Sequence, residues 1–312
     1  MSDRETAEDS QAELLRRIAA QDRQALADYE LAIAADPNFA MAYAARSRSL
    51  AAIAAEYGKA DQLHPLYDAA IDSARRAVAL APALAEGHLA LGYALFSGRL
   101  DIDGAAPSYA RAYALGRGNA DILLLFALYC SRAGRANEAR AAIQRALVLD
   151  PLNSRTYRAS GSIDYAARRY ASAFAPLRQA LALNPDMTYT HALIGSCLLQ
   201  LGRLQEARAA FAADPLAAFR WSGLAIVDHR LGDSAAAADD LRHLVSELGD
   251  GAAYQQAEVH AQWGEPDAAI AALRRARQVG DSGLTYAATD PLLDPLRGRP
   301  DFVNFIKQMR LA

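Results

Sequence analysis

Residues 120–151 read ADILLLFALYCSRAGRANEARAAIQRALVLDP, and residues 154–185 read SRTYRASGSIDYAARRYASAFAPLRQALALNP. The two stretches end at Pro151 and Pro185, which are 34 residues apart, and each carries small residues at fixed distances before its proline. A period of this length with small residues in register is typical of helical hairpins that stack as a solenoid. The sequence therefore predicts an all-α fold built from repeated helical pairs.

The small residues fall where two helices of a hairpin must approach each other closely. With the proline numbered 32 of 34, positions 8 and 20 are held by Ala127, Ala139, Gly161, Ala173, Gly195 and Ala207. We expect position 8 of the first helix to face position 20 of the second, where a larger side chain would not fit. Position 15 is Gly134 or Gly202, and a glycine there ends the first helix with a positive φ angle.

This register resembles that of the tetratricopeptide repeat (TPR) family. The resemblance implies a right-handed α–α superhelix of about eight helical hairpins plus a C-terminal capping helix. We expect three departures from the regular repeat. Pro37 and Pro82 are 45 residues apart, which predicts about 11 extra residues around Glu56–Tyr67. Arg117 stands where a proline is expected, and Pro215 comes early. The early Pro215 predicts a second helix that lacks its last turn and a local change of superhelix direction.

The chain divides into three predicted parts. Residues 1–11 are expected to form a disordered tail, residues 12–283 the TPR solenoid, and residues 284–312 an extended segment followed by a capping helix. The proline- and aspartate-rich stretch DPLLDPL at 290–296 indicates extended or turn-like chain whose leucines lie on the last hairpin. The final helix is predicted from Asp301 to Arg310 because Phe302, Phe305, Ile306 and Met309 share one of its faces.

A narrower resemblance covers the C-terminal end of the chain. The sequences AYQQAEVHAQWGEPDAAIAAL, from Ala253, and DPLLDPLRGRPDF, from Asp290, resemble the C-terminal TPR regions of bacterial multidomain signalling proteins. In those proteins the repeats follow a winged-helix regulator, a nucleotide-cyclase domain or a TolB-like segment. The step Arg299-Pro300-Asp301-Phe302 has its two charges exchanged relative to the Asp-Pro-Arg-aromatic step of that family, so the charges either pair in reverse or meet a different partner.

Composition argues against several classes of protein. The net charge is −3 and the pI is about 6.1, whereas a nucleic-acid-binding domain usually carries a basic face. No apolar run approaches the roughly 18–20 residues that a membrane span needs, and the acidic N-terminus MSDRETAEDS lacks the apolar core of a signal peptide. Cys130 and Cys197 lie in apolar stretches and are expected to be buried thiols. We expect a soluble, cytoplasmic protein.

The leading functional hypothesis is a scaffold that binds a peptide or a partner protein in a concave groove. In the TPR family the first helix of each repeat lines this groove. The register implies as partner-binding residues Arg48, Tyr93, Phe96, Arg155, Arg158, Tyr165, Tyr189, His229, Tyr254 and Glu258. Arginines beside aromatic rings can hold a carboxylate and stack on a side chain. The alternative interpretation of these residues is solvated arginines and ordinary packing tyrosines.

Two other functions stay open: a ligand-sensing accessory subunit with a small molecule in the groove, and an enzyme on a TPR frame. Catalysis has little support, because the sequence lacks HExxH, GxSxG, GxxxxGK[ST] and CxxC motifs. His229 and His260, with Glu258, could approach one another, yet three ligands at a suitable spacing are not evident, and we predict no metal or cofactor. Self-association through alanine-rich helices also stays open.

Overall fold

The computed structural model describes residues 20–57 and 60–309, and the regular structure in these ranges is helical throughout. The helices pack in consecutive pairs, which confirms the predicted all-α solenoid class. Contacts divide the chain into two compact units, with the boundary between Leu115 and Gly116. None of the helices described combines the length and the apolar character that crossing a membrane requires.

The first unit has longer helices than the repeat predicts. Helix α1 occupies residues 20–35, and α2 (Ala40–Tyr57), α3 (Ala60–Leu80), α4 (Ala85–Arg99) and α5 (Ile102–Leu115) follow. With 18 residues in α2 and 21 in α3, the predicted extra residues lengthen both helices of one hairpin instead of forming a loop. The predicted tail at 1–11 and all but the end of the weak opening helix, Glu13–Ala20, lie outside the described residues.

Close packing in this unit depends on glycines in α4. A Cβ atom on Gly98 would lie 2.5 Å from Cβ of the buried Tyr67, and one on Gly92 would lie 2.9 Å from the Tyr109 ring. Gly92 occupies position 8 of its repeat, and a small residue is required there because of the Tyr109 ring, which lies about one turn after the position-20 residue that we predicted to face it.

The second unit contains five hairpins and a final helix. In chain order its helices are α6 (Ala120–Arg132), α7 (Ala136–Leu149), α8 (Ser154–Ala166), α9 (Tyr170–Leu183), α10 (Thr190–Gln200), α11 (Leu204–Ala212), α12 (Ala217–Leu231), α13 (Ser234–Leu248), α14 (Ala253–Gln262), α15 (Pro266–Val279) and α16 (Pro300–Gln308). Position 8 is again crowded: a Cβ atom on Gly161 would lie 2.5 Å from the Leu177 side chain.

The turn inside each hairpin uses a left-handed residue, as predicted for position 15. Four hairpins of this unit have a glycine there with φ between 73° and 86°, namely Gly134, Gly202, Gly232 and Gly264. The fifth has Arg168, whose φ is 59°. A side chain in this conformation costs about 1–2 kcal/mol relative to glycine, so the arginine is retained at this turn against its backbone preference.

The early proline shortens α11, as predicted. This helix has 9 residues, whereas α9 has 14. Asp214, the residue before Pro215, is fully buried and accepts a hydrogen bond from the amide of Ala192 at 2.9 Å, near the start of α10. The missing turn thus makes room for a carboxylate that caps the neighbouring hairpin. The predicted change of superhelix direction at this point stays a prediction.

After Gly280 the chain leaves the repeat pattern and forms two 3₁₀ turns, Ser282–Tyr286 and Pro291–Leu296, before α16. The second turn packs on α14, so its leucines lie on the last hairpin as expected. The final helix buries the predicted apolar residues Phe302, Phe305, Ile306 and Met309. The exchanged charges pair: Arg299 Nη2 lies 2.8 Å from Asp301 Oδ2.

Candidate functional site

The first helices of successive hairpins in the second unit lie side by side. Helix α6 contacts α8, α8 contacts α10, α10 contacts α12, and α12 contacts α14. In an α–α solenoid these helices form the extended surface used for binding. We call this side of the second unit the inner face.

A stretch of the chain itself lies on the inner face. We call residues 281–296 the return segment. Leu292 belongs to the apolar cluster that also contains Leu199 and Trp263, and its carbonyl oxygen accepts a hydrogen bond from Gln262 Nε2 at 2.5 Å. Side chains of α10 and α14 are therefore covered by protein instead of solvent.

Two arginines from distant hairpins hold the return segment. Arg132, at the end of α6, stacks on Tyr286 with its Cζ atom 4.0 Å from the ring centroid, and it also donates a hydrogen bond to the phenol oxygen. Arg168, in the turn after α8, forms an ion pair with Asp294 at 2.6 Å and donates to the carbonyl oxygen of Thr289 at 3.4 Å. The segment is thus bound through a ring, a carboxylate and a backbone oxygen.

A buried group of acids joins the return segment to α14. The hydroxyl of Tyr254 donates to Asp290 Oδ2 at 2.8 Å, and Glu258 also hydrogen-bonds to Asp290. Burial, together with the charge of Asp290, raises the pKa of Glu258 well above its usual range. A hydrogen bond between two carboxyl groups requires a proton on one of them, and the raised pKa of Glu258 favours Glu258 as the donor to Asp290.

Asp281 makes a second acidic attachment at the start of the return segment. Its carboxylate accepts hydrogen bonds from the amides of Tyr254 at 3.1 Å and Gly283 at 2.8 Å. Burial raises its pKa to about 6, although the two amide hydrogen bonds act in the opposite direction.

Two further tyrosines of the inner face border this acidic group. Tyr165 is buried, and its hydroxyl has no hydrogen-bond partner among the described residues. Burial raises its pKa, and the nearby charge of Asp290 adds to the effect. The ring centroid of Tyr189 is 4.3 Å from that of Phe219, and its φ of 64° places this residue in the left-handed region at the start of α10.

The structure brings together four of the predicted partner-binding residues. Tyr165, Tyr189, Tyr254 and Glu258 all lie near Asp290 of the return segment. Tyr165, Tyr254 and Glu258 are buried in this arrangement, so they are closed to an outside molecule, whereas Tyr189 is half-buried and partly accessible.

The other predicted residues of the second unit are more accessible. Arg155 is exposed on α8, whereas Arg158 is half-buried and donates to the carbonyl oxygen of Thr188 at 3.4 Å. His229 stacks on Trp263, with 5.3 Å between the ring centroids. Only Arg155 thus presents an open charged group without a change in the protein.

In the first unit, Arg48 on α2 and Tyr93 on α4 are half-buried. Phe96 has 0% of its surface exposed, because its neighbours cover it completely. It therefore packs in the core of that unit and does not face a partner protein.

The histidines do not form a metal site. His260 Nδ1 is bonded to Glu265 Oε2 at 2.7 Å, and Glu258 faces Asp290 instead of the histidines. Within residues 20–57 and 60–309, no group of three or more histidine, cysteine, aspartate or glutamate side chains is arranged to hold a metal ion.

Comparison with known proteins agrees with this architecture. Residues 164–225 match the family model described as tetratricopeptide repeat. This part of the second unit is therefore similar to tetratricopeptide repeats. No curated protein matches its sequence.

Solved TPR-like structures share the fold at low sequence identity. A TPR protein from Parabacteroides merdae has 18% identity and a TM-score of 0.53, covering 74% of this chain and 92% of its own. The human IFIT1 dimer with m7Gppp-AAAA has 15% identity and a TM-score of 0.59, covering 87% of this chain and 63% of its own. The APC/C hetero-tetramer Cut9–Hcn1 has 18% sequence identity and a TM-score of 0.59. The match covers 91% of this chain but only 52% of the matched chain.

The TPR register revealed only some of the residues that bind the return segment, namely Tyr254 and Glu258. It did not reveal Arg132 and Arg168, which contact Tyr286 and Asp294 and do not occupy groove-lining positions of the repeat. One signal was available: Arg168 is the residue at position 15 of a hairpin whose neighbours all have glycine there.

Proposed function

We propose that this chain is a protein-interaction scaffold that binds an extended segment of a partner protein on the inner face of its second unit. The return segment carries this proposal. The inner face holds irregular chain, and it does so through ion pairing, aromatic stacking and a hydrogen bond to a backbone oxygen. Recognition of acidic motifs by arginines is one of the recurring modes of peptide binding.

The chemistry of the inner face favours a partner that carries carboxylates. Arg132 and Arg168 each present a guanidinium group, whose planar donors suit carboxylates and whose face stacks on aromatic rings. Arg155 adds an exposed positive charge on α8, next to the covered region. A partner segment with acidic and aromatic or leucine side chains would match this set.

We favour a protein over a nucleic acid as the partner. The net charge is −3, and the segment that the inner face already holds is acidic, with Asp290 and Asp294 in contact with that face. The likeness to IFIT1 shows the fold alone. The resemblance of residues 253–309 to the TPR regions of bacterial signalling proteins favours a partner within a signalling assembly.

We also favour binding over catalysis. The strongly shifted acid of the inner face, Glu258, is engaged by Asp290, and Asp281 is engaged by backbone amides. Groups held in this way stabilise the attachment of the return segment.

Site-specific photo-crosslinking in the native cell tests the proposal. A photoreactive residue at Arg155 reports on the inner face, whereas the same residue at Gln179, which is exposed on the second helix α9, reports on the opposite side of the hairpin. We expect a protein partner to be captured from position 155 and lost when Arg132→Ala/Arg168→Ala, which removes the two guanidinium groups proposed to bind it, is added. Equal capture from both positions would contradict binding on the inner face.

A further inference from the structure

We propose that the return segment is an intramolecular ligand of the inner face, and that the partner displaces it by presenting a segment of the same chemical kind. That segment carries an aromatic ring for Arg132, a carboxylate for Arg168 and leucines between or beside them. This inference rests on the proposed function and specifies both the partner's chemistry and the state of the protein before binding.

The arginine contacts are open to exchange. The side chains of Arg168 and Asp294 are 41% and 39% exposed, so water and a competing carboxylate can reach the ion pair without unfolding the hairpins. The stacking of Arg132 on Tyr286 is only partly buried as well. A partner can therefore replace these contacts stepwise.

The apolar contacts explain why the segment stays bound when no partner is present. Leu284, Leu293 and Leu296 are at most 1% exposed, and Leu292 joins the cluster on the inner face. Releasing them would expose apolar surface to water. A competitor therefore needs leucines of its own, which is why an acidic peptide without apolar side chains would not suffice.

The fit between the return segment and the inner face is incomplete. The buried hydroxyl of Tyr165 lacks a hydrogen-bond partner, which is unfavourable for a polar group removed from water. A partner segment that offers an acceptor to this hydroxyl gains an interaction that the return segment does not provide. This difference gives an external ligand an advantage over the resident one.

Arg168 gives an independent reason to regard the contact as selected recognition. The four other turns of the second unit satisfy the same left-handed position with glycine, which shows that the turn itself does not need an arginine. The contacts of the Arg168 side chain reach Thr289 and Asp294 of the return segment, in addition to a local bond to Ala166. The strained backbone is thus coupled to holding this segment.

A labelled peptide with the sequence of residues 281–298, DSGLTYAATDPLLDPLRG, tests the inference when it is titrated into the full chain and followed by fluorescence anisotropy. The variant Tyr286→Ala/Asp294→Ala weakens the resident segment but leaves the arginines of the inner face in place. We expect it to bind the peptide at least about ten-fold more tightly than the wild type, since apparent affinity rises with the fraction of open sites.

The variant Arg132→Ala/Arg168→Ala supplies the matched comparison. It loosens the same two contacts but removes the groups that recognise the peptide, so we expect less than about a two-fold gain. Arg203→Ala, which breaks an exposed ion pair with Glu206 on α11, controls for the loss of an arginine elsewhere and should bind like the wild type. Hydrogen exchange of the return segment, measured on each variant, reports whether it has been loosened.

Three results would overturn the inference. The first is that the Tyr286→Ala/Asp294→Ala variant binds the peptide no more tightly than the wild type. The second is that both double variants gain equally in peptide affinity. The third is that hydrogen-exchange protection of the return segment is unchanged in both double variants. If any of these occurs while Arg155 still captures a partner by crosslinking, the scaffold function stands and the return segment is a fixed part of the fold. If the peptide results hold but crosslinking fails, the intramolecular ligand stands and the proposed partner face is wrong.

Discussion

Raising the pH from 4.5 to 7.5 is expected to destabilise the second unit. Asp281 has a pKa of about 6 in the folded protein against 3.8 for an ordinary aspartate. The folded state therefore binds this proton more tightly than the unfolded state does. The resulting stabilisation is complete below pH 4 or so, declines as the pH rises through about 6, and is absent above that. The whole shift of pKa corresponds to about 3 kcal/mol, of which about 2 kcal/mol is lost between pH 4.5 and 7.5.

Burial also raises the pKa of Asp214, which acts in the same direction as Asp281. Glu138 and Glu206 act in the opposite direction, because their pairing with arginines lowers their pKa values, and the stability this confers is lost at the acid end of the range. The raised pKa of Glu258 acts in the same direction as that of Asp281. Asp301 acts in the opposite direction, because its pairing with Arg299 lowers its pKa to about 2. The stability that this lowered pKa confers is lost only as the pH falls below the ordinary aspartate value, so it is constant between pH 4.5 and 7.5.

Urea denaturation at a series of pH values, followed through the fluorescence of Trp221 and Trp263, measures the effect. Asp281→Asn cannot titrate, and its single oxygen can replace only one of the two carboxylate oxygens that accept from the amides of Tyr254 and Gly283. We expect it to be less stable than the wild type at low pH and to show a reduced slope of stability against pH. Asp239→Asn, on the exposed side of α13, is the control and should keep the wild-type slope. Stability that rises with pH in the wild type, or an Asp281→Asn variant with an unchanged slope, would refute the reasoning.

Two further substitutions test the packing and the strained turn. Gly98→Ala should destabilise the first unit by roughly 1–3 kcal/mol in thermal denaturation, because the added Cβ meets the Cβ of buried Tyr67. Gly118→Ala is the control and should be nearly neutral, because no neighbouring atom lies within 4 Å of its added Cβ. Arg168→Gly should change the unfolding free energy by less than about 1 kcal/mol, because relief of the strain from the positive φ offsets loss of the exposed ion pair with Asp294. Hydrogen exchange in the return segment should nevertheless become faster, because Arg168 no longer holds it.

The repeat itself was predictable because its determinants are local. Glycine at position 15 and small residues at position 8 are required by a turn and by a helix crossing within one hairpin. The short α11 could likewise be read from the position of Pro215, since a proline stops a helix wherever it occurs. Such signals need no knowledge of distant parts of the chain.

The return segment could not be placed in the same way. Its composition indicated turns, but nothing periodic in it says which surface it covers. The contact between Arg132 and Tyr286 joins residues 154 positions apart, and it depends on how five hairpins stack. The register placed Tyr165, Tyr254 and Glu258 on first helices, whereas their burial is decided by this distant segment.

The tie between Arg168 and Asp294 also bears on how the second unit unfolds and how its length can change. Repeat arrays are held by contacts between neighbours, so they can fray from an end and can gain or lose a hairpin without harm to the rest. Here residues after the last hairpin contact the turn after α8 and the end of α6. The end hairpin is thereby coupled to the first two of the unit, so we expect the five to unfold as one cooperative block. Inserting or deleting a hairpin between α8 and α14 would carry Asp294 out of reach of Arg168, which fixes the number of repeats between them.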